Sequence, residues 1–230
     1  IALKMLFDPD VGTILGAQAD DASGVDRRID VLAVALRAGL TVRDLCDQEL
    51  CYAPPYGSAK DPVNYAGFVA TNVLDGDAAI CHVPDVLHPR DDQFLLDVRK
   101  PEEVQAGTIP GARSIPVDEL RSRLDELPTD KELLVFCRVG LRGYLACRTL
   151  AQAGLRCRNL TGGYKTYKAW VGLMPPDRAD EETAELTEDT GEQSEPPADG
   201  SLAGREQSAA EPVAVAREID ARGLQCPGPI

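Results

Sequence analysis

Residues 133–142 read Leu-Leu-Val-Phe-Cys-Arg-Val-Gly-Leu-Arg, and the predicted fold rests mainly on this stretch. Four apolar residues are typical of a buried strand, and a helical pattern follows the stretch. Cys137 therefore lies at a strand end, before a short loop and a helix start. Loop N–H groups and a helix N-terminus direct positive partial charge toward the sulfur, and Arg138 and Arg142 add full charges. Such surroundings favour the thiolate, so we interpret Cys137 as a nucleophile rather than a buried structural cysteine.

Motifs on both sides of this loop support the same interpretation. Residues 94–103 contain Leu-Asp-Val-Arg and then Pro-Glu-Glu, and residues 107–112 read Gly-Thr-Ile-Pro-Gly-Ala. Downstream, Leu-Thr-Gly-Gly-Tyr precedes a helix that we expect to end at Trp170. From residue 79 to 173 the chain resembles the rhodanese family of sulfurtransferases. The resemblance implies an α/β domain with a central parallel sheet.

The resemblance also implies roles for the loop residues. Cys137 would accept sulfur and become a persulfide, and Arg138 and Arg142 would complete the catalytic set. The remaining loop residues are Val139, Gly140 and Leu141. Phosphatases similar to rhodaneses have five residues between Cys and Arg, whereas four separate them here, so the spacing favours sulfur transfer over phosphate chemistry. Thr108 replaces a His that many members carry before Ile-Pro-Gly-Ala, and we interpret it as a variation of the turn.

Residues 1–76 have a different pattern, which predicts an α+β unit. Residues 2–7 and 13–17 are typical of strands. Residues 26–38 predict an amphipathic helix with an apolar face that ends before Gly39; this face comprises Ile29, Leu32, Ala33 and Leu36. A second helix of about 13 residues is expected to start at Pro62, with Asp61 as its N-cap.

The Tyr-Ala-Pro-Pro-Tyr run at residues 52–56 supports a second resemblance. Residues 1–76 are similar to the dimerisation domain of flavin-dependent pyridine nucleotide–disulfide oxidoreductases, in the coenzyme A-disulfide reductase and NADH oxidase branch. This implies a homodimer in which Tyr52 or Tyr56 reaches the partner's active site. It also implies FAD, NAD(P)H and coenzyme A in a longer parent protein, with no cofactor bound by the present part alone. The parent's substrate stays open between coenzyme A disulfide, coenzyme A persulfide and oxygen.

The C-terminal part of the chain is acidic. Residues 177–200 contain ten acids and one Arg, which account for −9 of the net charge of −14. We therefore predict a disordered acidic linker over residues 177–213. Residues 218–230 resemble the start of the TusA-like sulfur-carrier family, which implies that Cys226 carries persulfide sulfur. We expect the sequence to be truncated at both ends.

Composition restricts the other classes of function. The seven cysteines show no C-x-x-C pair and the chain has two His, so the sequence predicts neither a metal site nor a disulfide framework. This cysteine usage favours the reducing cytoplasm. No apolar run is long enough to span a bilayer, and the acidic charge argues against nucleic-acid binding.

Together the three resemblances imply a rhodanese-type sulfurtransferase that works within a flavin-dependent NAD(P)H coenzyme A-disulfide or persulfide reductase. The donor could be a persulfide, a polysulfide or thiosulfate, and the sulfur would pass to an acceptor thiol or to a sulfur-carrier partner such as the Cys226 segment. The alternative is a non-catalytic dimerisation and docking module of a redox enzyme.

Overall fold

The structure, a computed structural model, describes residues 1–55 and 57–173 and the backbone of residues 217–220. The predicted linker at 177–213, Tyr56 and Cys226 lie outside the described residues. The first part of the chain has two strands and three helices: β1 (Ala2–Phe7), β2 (Ile14–Asp20), α1 (Val25–Arg37), α2 (Val42–Asp47) and α3 (Pro62–Leu74).

An antiparallel sheet forms one layer of this first part. β1 pairs with β2, and its inward-facing residues are buried against the helices: Leu3, Met5 and Phe7. Alternate burial along β1 is what a half-buried strand requires. On the other edge of β1 lies β8 (Arg217–Asp220), with Lys4 opposite Asp220. The sequence did not predict this pairing.

Helix α1 lies within one residue of its predicted bounds, but its buried face was partly predicted wrongly. Ala33 and Leu36 are exposed, whereas Arg28, Leu32 and Ala35 are buried. Arg28 on the observed buried face makes an ion pair of 2.9 Å with the buried carboxylate of Asp61, the N-cap of α3. A charged side chain can occupy a core position when it is paired in this way.

Asp61 and Asn64 together join three helices of the first part. The Asp61 carboxylate accepts a hydrogen bond of 3.1 Å from the Val63 N–H, which confirms the predicted N-cap of α3. The same carboxylate binds Arg27 and Arg28 of α1. Asn64, the capping-box partner, donates to the carbonyl of Leu45 at 2.9 Å and so adds α2. The position of α3 is therefore held by the buried Asp61 carboxylate and by the Asn64 amide.

The second part, residues 79–173, is an α/β unit. The strands and helices of this part are β3 (Ile80–Cys81), α4 (Val83–Leu87), β4 (Gln93–Asp97), α5 (Pro101–Gln105), β5 (Arg113–Ser114), α6 (Val117–Leu120), β6 (Glu132–Phe136), α7 (Leu141–Gln152), β7 (Cys157–Leu160) and α8 (Gly163–Leu173). A 3₁₀ turn covers Leu124–Glu126. The five strands form one sheet in the order β3-β7-β6-β4-β5.

Every pairing in this sheet is parallel, which confirms the predicted α/β fold with a central parallel sheet. One core cluster packs α6 and α7 against one face of the sheet, and another packs α4 and α8 against the other face. Burial on both faces explains why residues 133–136 are uniformly apolar. Helix α8 extends three residues beyond the predicted end at Trp170.

None of the helices within residues 1–173 that the structure describes is long and apolar enough to cross a bilayer.

We predict that Asp61→Ala lowers the free energy of unfolding by about 3–5 kcal/mol, because it leaves the buried Arg28 without its partner. Thr41→Ala is the matched control, since Thr41 caps the exposed end of α2 and holds no buried charge. Its cost is about 0.5–2 kcal/mol. Urea denaturation of both variants measures the difference, and equal costs would contradict a dominant role for the ion pair.

Candidate active site

Cys137 lies where the central strand β6 ends, at the carboxyl edge of the parallel sheet. Ligands of open α/β sheets bind at this edge. The side chain is 1% exposed, and its Sγ accepts a hydrogen bond of 3.1 Å from the Gly140 N–H. Gly140 has φ +116°, a conformation that favours glycine and turns its N–H back toward the sulfur. The loop thus surrounds the thiol with its own backbone.

Helix α8 supports the loop from behind. The Tyr164 N–H donates to the carbonyl of Cys137 at 2.8 Å, and the Lys165 N–H donates to the carbonyl of Arg138 at 3.0 Å. Both donors belong to the first turn of the helix, whose N–H groups have no partner within the helix. A Cβ added at Gly163 would lie 2.6 Å from the Cys137 carbonyl oxygen and 2.8 Å from the Val139 nitrogen. The Gly-Gly-Tyr motif therefore allows α8 to approach the loop closely.

Asn159 holds the other side of the loop. Its amide nitrogen donates to the carbonyl of Gly140 at 3.1 Å. A Cβ added at Gly143 of α7 would lie 2.1 Å from the Asn159 side-chain oxygen, so helix and amide fit only because this position is glycine. Sequence reasoning missed Asn159, since nothing in its local pattern distinguishes it from other polar strand residues.

Arg142 forms an ion pair that the sequence did not predict. It makes two hydrogen bonds, of 2.6 and 2.8 Å, to the carboxylate of Glu103 at the start of α5. The pair lowers the pKa of Glu103 to about 2 and raises the pKa of Arg142 above its ordinary value. Glu103 is therefore ionised at neutral pH and offsets the arginine charge. Arg138, by contrast, extends an exposed side chain from the loop.

A buried ion pair lies below the loop. Arg99 donates to both oxygens of Asp97, and its guanidinium lies 4.0 Å from the centre of the Tyr164 ring. The Thr108 hydroxyl donates to the same carboxylate at 2.7 Å. Thr108 therefore does more than vary a turn, because it completes the hydrogen bonding of a fully buried charge. This network fixes the aromatic ring that begins α8.

A largely apolar cavity of about 230 Å³ separates the loop from helix α3 of the first part. Val139, Gly140 and Leu141 form its wall on the loop side. Tyr52 is 54% exposed on the segment before α3 and is not among the residues that line this cavity. The structure thus brings together Cys137 and the rest of its loop, and it does not place Tyr52 with them.

Within residues 1–55 and 57–173, His, Cys, Asp and Glu side chains form no cluster that could hold a metal ion.

Comparison with known proteins identifies the family of this fold. The pattern of the rhodanese-like domain matches residues 83–169. A sulfurtransferase of Allochromatium vinosum is 40% identical over 74 residues, which are 32% of this chain and 69% of that protein. The chain belongs to the rhodanese-like family. This confirms the resemblance that the loop motifs had indicated.

Parts of larger proteins are also similar to this chain. A coenzyme A disulfide reductase of Staphylococcus haemolyticus is 41% identical over 73 residues, 32% of this chain but 17% of that protein. The crystal structure of reduced Bacillus anthracis CoADR-RHD superposes with a TM-score of 0.71 at 45% identity, covering 74% of this chain and 31% of that one. An NAD-dependent persulfide reductase from A. fulgidus gives a TM-score of 0.62 at 40% identity, covering 70% of this chain and 29% of that one. The present chain therefore spans less than a third of these three proteins.

We predict that Gly163→Ala destabilises the fold and lowers any activity of the loop. A side chain in this left-handed conformation costs about 1–3 kcal/mol, and its Cβ would also displace the Cys137 carbonyl. Gly172→Ala in the same helix is the control, since a Cβ there meets no atom within 4 Å. It should be neutral or stabilise by up to about 1 kcal/mol. Thermal unfolding of both variants checks this, and a Gly163→Ala protein as stable as Gly172→Ala would refute the close approach.

Proposed function

We propose that the chain is a sulfurtransferase in which Cys137 carries sulfur as a persulfide. One observation supports this most directly: the buried Sγ of Cys137 accepts the Gly140 N–H at the carboxyl end of the central strand. A backbone N–H that points at the sulfur stabilises negative charge that develops there during the reaction. The rhodanese-like family and the sulfurtransferase relative support the same reaction class.

The reaction proceeds in two displacements. The Cys137 thiolate attacks the outer sulfur of thiosulfate or the sulfane sulfur of an organic persulfide. The sulfur–sulfur bond of the donor breaks, sulfite or a thiolate leaves with the electron pair, and a persulfide anion remains on Cys137. A nucleophilic acceptor, either cyanide or a thiolate, then attacks the terminal sulfur and restores the Cys137 thiolate.

The backbone of the loop stabilises these anions through the Gly140 N–H. Preorganised N–H donors need no reorientation when charge develops on the sulfur. Arg142 contributes a cation whose position is fixed by the two hydrogen bonds to Glu103, so its net field at the sulfur is smaller than that of a free arginine. The exposed Arg138 is able to meet an incoming anionic donor.

The wider context is also part of the proposal. In a longer polypeptide the domain would deliver sulfur to a flavin-dependent reductase that uses NAD(P)H and coenzyme A, consistent with the two larger relatives of known structure. Their similarity covers about twice as much of this chain as the rhodanese-like match does, so it extends into the first part. We propose that residues 1–76 form a homodimer and that Tyr52 or Tyr56 reaches the partner's flavin site. Cys226 would be one acceptor, and the protein would work in the cytoplasm.

Substitution of the nucleophile tests the proposal. The chain is incubated with thiosulfate, or separately with an alkyl persulfide, and cyanide is used to trap the sulfur as thiocyanate. Cys137→Ser should give no thiocyanate above the uncatalysed rate, whereas Cys51→Ser, which changes an exposed thiol, should match the wild type. Activity retained in Cys137→Ser would exclude the persulfide mechanism. A wild type inactive with both donors would favour a docking module instead.

Arg142 should matter more than an arginine outside the loop. Arg142→Ala is expected to cost about 2–4 kcal/mol of transition-state stabilisation, by analogy with the removal of a fixed donor from an oxyanion site. Arg156→Ala is the control, because Arg156 is exposed and donates only to the carbonyl of Asp130 among the described residues. Measurement of kcat/KM for both variants tests this expectation. Equal small losses would show that the reaction does not use the Arg142 charge.

A further inference from the structure

Two cysteines outside the Cys137 loop lie against each other. Cys147 is on α7, and Cys157 is the first residue of β7. The Cys157 thiol donates to the carbonyl of Cys147 at 3.5 Å. Both side chains belong to the core cluster between α7 and the sheet. The thiol of Cys157 thus contacts the backbone of Cys147, which places the two residues side by side in the core.

The two thiols have different surroundings. Cys147 is 6% exposed, whereas Cys157 is only half-buried at the edge of the cluster. The neighbouring Cys147 thiol lowers the pKa of Cys157, and the Cys157 thiol together with burial raises the pKa of Cys147. A half-buried thiol with a lowered pKa beside a buried thiol is the arrangement of reactive pairs, in which the first attacks and the second resolves.

The remaining described cysteines of the α/β part differ from this pair. Burial of Cys81 raises the pKa of its thiol, which makes it a poor nucleophile. Cys137 faces its own loop, where its sulfur accepts the Gly140 N–H. The Cys147–Cys157 pair is therefore chemically separate from the site of sulfur transfer, although α7 carries Cys147 and begins at the end of the Cys137 loop.

We propose that Cys147 and Cys157 form a second thiol site, which low-molecular-weight disulfides oxidise to an intramolecular disulfide. The Cys157 thiolate attacks one sulfur of the disulfide, whose sulfur–sulfur bond breaks, and one thiolate leaves. Cys147 loses its proton and attacks the Cys157 sulfur, which releases the second thiolate. Two protein thiols are oxidised to one disulfide, and the small disulfide is reduced to two thiols. The new bond would tie α7 to β7.

The test uses glutathione disulfide as the probe, with the chain in its native state. After alkylation of free thiols, a non-reducing proteolytic map should contain a peptide pair joined through Cys147 and Cys157, both in the wild type and in Cys137→Ser. In Cys147→Ser the reaction should stop at a mixed disulfide of glutathione on Cys157. In Cys157→Ser the buried Cys147 should stay unmodified. Cys81→Ser is the control and should form the linked pair.

Two results would overturn the proposal without depending on any variant. One is a wild-type map in which Cys157 stays a free thiol after the exposed Cys51 has been fully modified. The other is a Cys147–Cys157 link that forms only when urea is added, because this would show that the native fold holds the two sulfurs apart.

Discussion

Two hydrogen bonds from the first turn of α8 to the carbonyls of Cys137 and Arg138 determine the shape of the loop. With its carbonyls turned toward α8, the loop is free to direct the Gly140 N–H at the sulfur. The same bonds require a glycine at position 163, because any side chain would overlap the loop backbone. They also explain why the Asp97–Arg99 network matters, since Arg99 packs on the ring of Tyr164, the residue that supplies one of the two donors.

The charges around the sulfur are more balanced than a count of arginines indicates. Glu103 holds Arg142 with two hydrogen bonds and stays ionised at neutral pH. The nearby cation is thus fixed in position, and part of its charge is offset by Glu103. The Gly140 N–H is the backbone donor that the structure places on the sulfur, in a site of low exposure.

The sequence predicted those strand and helix ends that are determined by residues close by in the chain. The apolar run before Cys137, the N-cap at Asp61 and the glycine after α1 each specify a strand end or a helix end through neighbouring residues. The parallel sheet followed from the family resemblance.

What the sequence could not predict depends on partners that are distant along the chain. Glu103 pairs with Arg142, which is 39 residues away in the sequence. The buried Arg28 pairs with Asp61, which is 33 residues away. Asn159 contacts the loop only after β7 is placed beside β6. The pairing of β8 with β1 joins opposite ends of the chain. The periodicity of hydrophobic residues cannot predict contacts between residues so far apart in the sequence.

The most direct measurement is the intact mass of the chain after incubation with thiosulfate and removal of excess reagent. The mechanism predicts a gain of one sulfur atom that maps to Cys137, disappears on addition of cyanide and is absent from Cys137→Ser. A chain that gains no sulfur, or that gains it equally in Cys137→Ser, would contradict the assignment of Cys137 as the sulfur carrier.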